Sequence, residues 1–301
     1  MLCWDIAVYV LNKERRRRDC LIRVATSLVG SNSHRVVLLN GSRDGSIDVA
    51  CKAVLDGLPT EIHRIEAGDK SNTINQFLHH IRRPSRAVGA VDGYAYIGPR
   101  SFPAMLARLD ERPDVMATTG VCLNGRTMKL ATQATLTKGG QLHGQLHGLR
   151  GSFVDRMVAR GIRLPVGTYW GDGLLCSMAA HDLDAISQPW VDQRVSGVAD
   201  ATYTIPELSV FKPGDVRRHL RRRVRQMTGR LQTAAIKDLI YRKGYNALPA
   251  HADDMVRTYL LTHPPPPMHG LDRWFQHLAL RNLRTIAPLG PRLLLPERVR
   301  S

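Results

Sequence analysis

The sequence predicts an α/β fold, a mostly parallel sheet flanked by helices with a helical C-terminal extension. Three observations carry that prediction. Short apolar, β-branched-rich runs alternate with segments whose apolar residues recur at three- and four-residue steps. One such run, Ala87–Val91, stops abruptly at Asp92-Gly93. A buried strand ending this way delivers a carboxylate to the carboxyl edge of a sheet, where ligands of open α/β sheets bind. Finally, beyond Pro206 the chain becomes arginine-rich and helical in composition over Val216–Lys243.

Each element follows from its pattern. Asp5–Leu11 reads as a buried strand and Glu14–Leu28 as a helix carrying Leu21, Val24, Ala25 and Leu28 on one face. Arg35–Leu39 is a second strand, and Ser46 is placed to cap a helix over Ile47–Leu55. A strand at Glu61–Ile65, a helix at Asn72–Ile81, the strand at Ala87–Val91, a helix at Ser101–Leu109 and a strand at Val115–Val121 continue the alternation. Repeated strand–helix order implies right-handed parallel connections with helices on both faces. Asn124-Gly125 reads as a hairpin turn. His143 and His147 have the spacing of a helical metal pair, but the intervening glycine opposes a helix. Val154–Arg160 is helical, Gly161–Gly167 a loop, and Leu174–His181 an apolar helix with Asp172 at its start. Val195–Tyr203 supplies one or two short strands. Pro264–Pro267 is a stiff break before an amphipathic helix at Trp274–Leu283. The expected division is residues 1–215 as a catalytic domain (nucleotide-binding to about 122, acceptor-binding from 123) and 216–301 as a basic helical region.

Composition bounds the function. The 301 residues are 43% hydrophobic, enough for a sizeable core, and no run reaches the roughly 18 apolar residues of a membrane span. The N-terminus lacks the basic and apolar regions of a signal peptide. Five scattered cysteines without metal-site spacing suggest reduced thiols, so a cytoplasmic protein is expected. A net charge of +17 attracts polyanions: phosphorylated substrates, anionic lipid or nucleic acid. Aromatics are only 6% of the chain and are not interleaved with Arg217–Arg230, which provides poorly for base stacking and argues against nucleic acid as a partner. The same basic helix suits the inner face of an anionic membrane, as a peripheral contact.

Several segments, in order, carry a resemblance. Val10-Leu11-Asn12-Lys13-Glu14 resembles a first-strand P-x-x-N-E-E element without its proline. Val36–Ser46 resembles a V-V-D-D-G-S-x-D-G-S loop in which Leu39-Asn40 replace the paired acids. Gly68–Asn75 resembles a G-x-x-x-A-x-N helix start, Val91–Tyr94 stands at a D-x-D motif, Gly171-Asp172 at an E-D pair, and Arg221–Gly229 at a basic R-R-x-x-G element. The ordered set resembles the inverting family-two glycosyltransferases of the GT-A fold, with a degenerate D-x-D. The resemblance implies transfer of a sugar from a nucleoside-diphosphate sugar, expected to be UDP-linked, to a hydroxyl of a glycan or lipid-linked acceptor. It implies Asp172 as general base. Leu11, Asn12, Glu14, Asn40, Ser42, Asp44, Lys70, Asp92, Gly93, Arg222 and Arg225 would hold the nucleotide sugar. A Mn²⁺ or Mg²⁺ would sit on Asp92, with His219 as a further candidate ligand. Asn40 keeps a donor and an acceptor for a base edge, whereas Tyr94 removes the second metal acid. Two alternatives remain: a nucleotidyltransferase of similar sheet, although Leu11–Arg18 has no glycine, and a non-catalytic basic module.

Overall fold

The computed structural model describes residues 1–11, 24, 32–41, 60–206, 213–265, 267–285 and 291–299. The expected helices Glu14–Leu28 and Ile47–Leu55 and the Ser46 cap lie outside those residues. Among the described residues one sheet runs through the molecule in the strand order β5-β8-β6-β7-β4-β1-β2-β3-β9. Its centre is parallel: β1 (Leu2–Leu11) lies between β2 (Ser33–Asn40) and β4 (Ser85–Asp92), with β3 (Thr60–Ile65) beyond β2. All four strands point their carboxyl ends the same way, so Leu11 pairs with Asn40, Asn40 with Ile65, and Tyr9 with Asp92 along one edge.

Alternation across β1 builds two cores, as period-two side chains require. Trp4, Ile6, Val8 and Val10 pack with α2 (Ser101–Glu111), where Phe102 meets Trp4 edge-on at 5.1 Å. Ala7 and Tyr9 face a larger core shared with α1 (Lys70–Gln76). Helices α4 (Gly151–Ala159), α5 (Gly171–Ala180), α6 (Pro213–Lys243), α7 (Ala252–Thr262) and α8 (Gly270–Thr285) also contribute to it. The C-terminal helices therefore share a core with α5, while Phe275 and Ala279 of α8 form a smaller cluster with Met227 of α6. Helix α1 runs into a π-helical turn, Phe77–Ile81, matching the expected helix end.

The second half departs from the expectation of parallel order. β6 (Ala117–Cys122) does not lie beside β4. β7 (Leu146–Arg150) inserts between them and is antiparallel to both. β8 (Val195–Thr204) is a single strand parallel to β6, and β5 (Tyr96–Ile97) pairs antiparallel with it. Asn124-Gly125 is not a hairpin turn. Gly125, at φ 73°, starts α3 (Arg126–Lys138), while Asn124 exchanges hydrogen bonds with Ile205 in both directions at 2.7 and 2.9 Å. The positive φ that Asn-Gly supplies is used for a helix entry rather than a strand reversal. At the far edge β9 (Glu297–Arg298), just after α9 (Pro291–Leu294), caps β3 in antiparallel sense.

Candidate active site

Asp92 is the last residue of β4 and is 7% exposed. Its backbone N–H donates to the Gln145 carbonyl at 3.1 Å, and Gly93 N–H donates to Tyr9 O at 2.8 Å. A Cβ on Gly93 would stand 2.9 Å from that Tyr9 oxygen, so this turn admits only glycine without movement. Burial raises the Asp92 carboxyl above its ordinary range. The Lys70 ammonium and the Tyr94 hydroxyl pull it back, and the neighbouring Asp172 carboxylate adds to the upward push.

Lys70 opens α1, directly after β3. The helix is capped by Asp69, whose side chain accepts from Asn72 N–H at 2.7 Å. The Lys70 Nζ donates to Asp92 Oδ1 at 2.6 Å and to the Gly144 carbonyl at 3.1 Å. Asp172 arrives from the opposite wall. It lies in the first turn of α5, where the helix dipole favours an acid. The N-cap is Trp170, so Asp172 is not the cap residue; its Oδ2 accepts from Gly144 N–H at 3.1 Å. Gly144-Gln145 is thus the bridge: the Gly144 amide touches Asp172, the Gly144 carbonyl touches Lys70, and the Gln145 carbonyl touches Asp92. A Cβ on Gly144 would lie 2.9 Å from Asp172 Oδ2 and 3.0 Å from Lys70 Nζ.

The loop that carries Asp172 is strapped at both ends. Asn75 exchanges hydrogen bonds with Leu164 in both directions at 2.7 and 2.9 Å, Ser71 Oγ donates to Thr168 O at 3.1 Å, and Asp69 accepts from Gly167 N–H at 2.9 Å. From the other side Gln232 of α6, 2% exposed, accepts from Tyr169 N–H at 2.8 Å and donates to Gly167 O at 2.9 Å. Replacing it leaves two backbone groups unpaired at about 1–3 kcal/mol each. Gln232→Ala is therefore expected to lower the melting temperature measurably and to loosen Asp172. Differential scanning calorimetry with limited proteolysis across 164–171 checks this.

The remaining expected site residues divide. Asn40 ends β2, is 2% exposed, and its Oδ1 has no hydrogen-bond partner among the described residues. Leu11 contributes its backbone to β1 beside Asn40. Asn12, Glu14, Ser42 and Asp44 lie outside the described residues. Arg225 stacks its guanidinium 4.9 Å from the Tyr169 ring, two positions before Gly171, while Arg222 is exposed on the same helix. His219 is also on α6, and its Nε2 has no partner among the described residues. Sequence reasoning missed Gly144, Gln145 and Gln232. Gly144 sits in the Gln-Leu-His-Gly near-repeat; His143 precedes the Gly144-Gln145 turn and His147 lies in β7, so neither is on a helix. Burial, and then the Lys70 ammonium, push His147 down to about 4, so it is a neutral core histidine.

The donor set around Asp92 does not fit a divalent ion as a two-acid motif would. Tyr94 replaces the second carboxylate, Lys70 occupies Asp92 Oδ1, and no group of three or more His, Cys, Asp or Glu that could hold a metal gathers among the described residues. An apolar groove of about 480 Å³ opens between α5 and α6, lined among others by Trp170, Leu174, Trp190, Ile236 and Tyr241; Trp170 and Gly173 flank the Gly171-Asp172 pair in sequence, while Asp172 itself is not in its lining.

Asn40 and Asp92 end strands at one edge of the sheet, and Lys70 and Asp172 lie at helix starts. The chain, a sheet with its flanking helices, is of the GT-A glycosyltransferase fold. It superposes on Staphylococcus aureus TarS 1–349 in complex with UDP-GlcNAc with a TM-score of 0.58 at 15% identity, covering 94% of this chain and 80% of that one. Against the longer S. aureus TarS chain the score is 0.55 at 16% identity, and the match covers 86% of this chain but only 43% of that one. Mycobacterium tuberculosis glucosyl-3-phosphoglycerate synthase, in complex with Mn²⁺, UDP and glucosyl-3-phosphoglycerate, matches with a TM-score of 0.52 at 14% identity over 76% of this chain and 80% of that one. No family model matches the sequence. No curated protein matches it either.

Proposed function

We propose that this protein is an inverting glycosyltransferase that moves a sugar from a nucleoside-diphosphate sugar to an acceptor hydroxyl. The observation that carries this is the Gly144-Gln145 bridge, which joins Asp92 at the carboxyl edge of the sheet to Asp172 at the start of α5. The fold neighbours crystallised with UDP and UDP-GlcNAc support a UDP-linked donor. In this assignment Leu11, Asn12, Glu14, Asn40, Ser42 and Asp44 hold the nucleoside. Lys70 and Arg225, with Arg222 nearby on the same helix, hold the diphosphate. Asp172 takes the proton of the attacking hydroxyl, and that oxygen displaces the diphosphate from the anomeric carbon on the opposite face. Asp92 orients Lys70 rather than anchoring a metal. The acceptor enters over the groove beside Trp170; a glycan or a lipid-linked sugar both suit a wall of exposed aromatic rings.

The test is a melting-temperature panel of nucleoside diphosphates and their sugars, run in EDTA and again with Mn²⁺. A true ligand at about 100 times its Kd adds about 2.7 kcal/mol, so at least one is expected to raise the melting point by several degrees. Proton NMR of the product anomer then reads inversion directly. A flat panel under both conditions, or a retained anomer, defeats the proposal. Arg217, Leu220 and Arg221 on α6 are exposed together. Co-sedimentation with phosphatidylglycerol vesicles, weakening as salt rises, is the expected result if the acceptor is lipid-linked.

A further inference from the structure

Departure of a diphosphate needs positive charge against its oxygens, and the site beside Asp92 already contains a cation built into the chain. The Lys70 ammonium has three N–H donors; Asp92 Oδ1 at 2.6 Å and Gly144 O at 3.1 Å take two, leaving one for a ligand oxygen. Its side chain keeps 37% of its exposure, whereas that of Asp92 keeps 10%, so the lysine is open to a ligand from solvent and the carboxylate is the more buried partner. Helix α1 fixes the lysine from its first residue, and the Asp69 cap fixes the helix. The Tyr9 ring, centred 5.8 Å from Nζ, borders it on a further side. A divalent ion bound to Asp92 would have to displace or repel this ammonium, and Tyr94 brings no second negative charge to help it. One carboxylate already satisfied by a lysine is a poor competitor for an ion that gives up its water reluctantly.

We propose that the Lys70 ammonium takes the place that a divalent metal fills in metal-dependent glycosyltransferases, so that this chain binds and releases a nucleoside diphosphate without metal. This rests on the glycosyltransferase reading above and deepens it. In the step, the acceptor oxygen forms a bond to the anomeric carbon while the bond from that carbon to the β-phosphate oxygen breaks. The bonding pair leaves with the diphosphate, whose added negative charge is met by Lys70. The acceptor proton passes to Asp172. No electron or co-reactant is required.

Isothermal titration of the full chain with UDP, GDP and ADP decides the matter, in excess EDTA and then with Mn²⁺ or Mg²⁺. The expected result is one diphosphate binding with the same Kd, within about twofold, in all three solutions. Lys70→Met is expected to weaken that Kd about 10- to 100-fold in EDTA, since a lost charge-assisted contact costs about 1.5–3 kcal/mol. Lys70→Arg should retain most of it. Lys70→Gln, closer in polarity, is the control should Lys70→Met fold poorly. Binding that appears only with added metal overturns the lysine role but leaves the glycosyltransferase reading intact. Unchanged binding in both Lys70→Met and Lys70→Gln also overturns it. Absence of binding by every nucleotide in every solution overturns both.

Discussion

Asp172→Asn is expected to lower turnover by about 10²–10⁴-fold, the range a positioned general base supplies, while leaving nucleotide-diphosphate binding within about twofold. The amide is nearly isosteric. Its one oxygen can accept from the Gly144 amide, now at 3.1 Å from Oδ2, which keeps the bridge and gives up the Gly173 N–H bond to Oδ1. It cannot take the acceptor proton. The change also removes a negative charge whose field raises the Asp92 carboxyl. Asp92 should therefore titrate lower in the variant, and its pairing with Lys70 should persist to lower pH. The sign follows from linkage: removing a like charge stabilises the ionised form. Single-turnover kinetics alongside titration calorimetry separates the two effects. Loss of binding in parallel with turnover, or turnover unchanged, removes Asp172 from the base role.

The second large effect concerns the support of Asp92 rather than its chemistry. Gly151 opens α4 against the start of β4, and a Cβ there would stand 1.9 Å from the Ser85 carbonyl oxygen and 2.9 Å from that of Arg86. Both are backbone atoms of the strand whose far end is Asp92. Neither can rotate away as a side chain would. Gly151→Ala is expected to cost about 3 kcal/mol, the upper part of the usual overpacking range, which lowers the melting temperature of a chain this size by roughly 5–10 °C. Arg150 beside it is held by the Val115, Leu109 and Arg112 carbonyls at 2.8, 2.5 and 2.7 Å, which limits how far the junction can yield. Thermal melts by circular dichroism measure the loss. A melting point within a degree of wild type would mean that β4 and α4 separate more easily than their contacts imply.

The parallel half of the fold was legible because its strands are apolar on both faces. Runs such as Asp5–Leu11 and Ala87–Val91 are short and carry β-branched residues, which favours a buried strand over a helix, and Asp92 stands out as a carboxylate ending such a run. The other half was less legible for a physical reason that particular residues show. In α3 the deeply buried positions are Thr132 and Thr135, each 1% exposed, while Leu130 and Leu136 are 60% and 38% exposed. Thr132 accepts from Cys122 N–H at 3.0 Å, and Thr135 meets His143 Nε2 at 3.2 Å, so hydrogen bonds replace apolar packing on that face. A periodicity of hydrophobic residues cannot find such a helix. β7 hides similarly: His147 is 1% exposed and Gly148 has Trp4 and Thr118 against it, where a β-branched run was the signal sought.

By itself the sequence determined that Asp92 ends a buried strand, that Lys70 stands just ahead of a helix and Asp172 at the start of one, and that α6 carries a dense row of arginines. These are local consequences of apolar runs, caps and composition, written within a few residues of each position. The tertiary structure alone decided that Lys70 reaches Asp92 across 22 positions and that Gly144 reaches Asp172 across 28. It also decided that β7 turns the sheet antiparallel between β4 and β6. Those pairings depend on which strand lies beside which. That choice is made by the summed burial of two faces of a sheet, and no local stretch of chain encodes it.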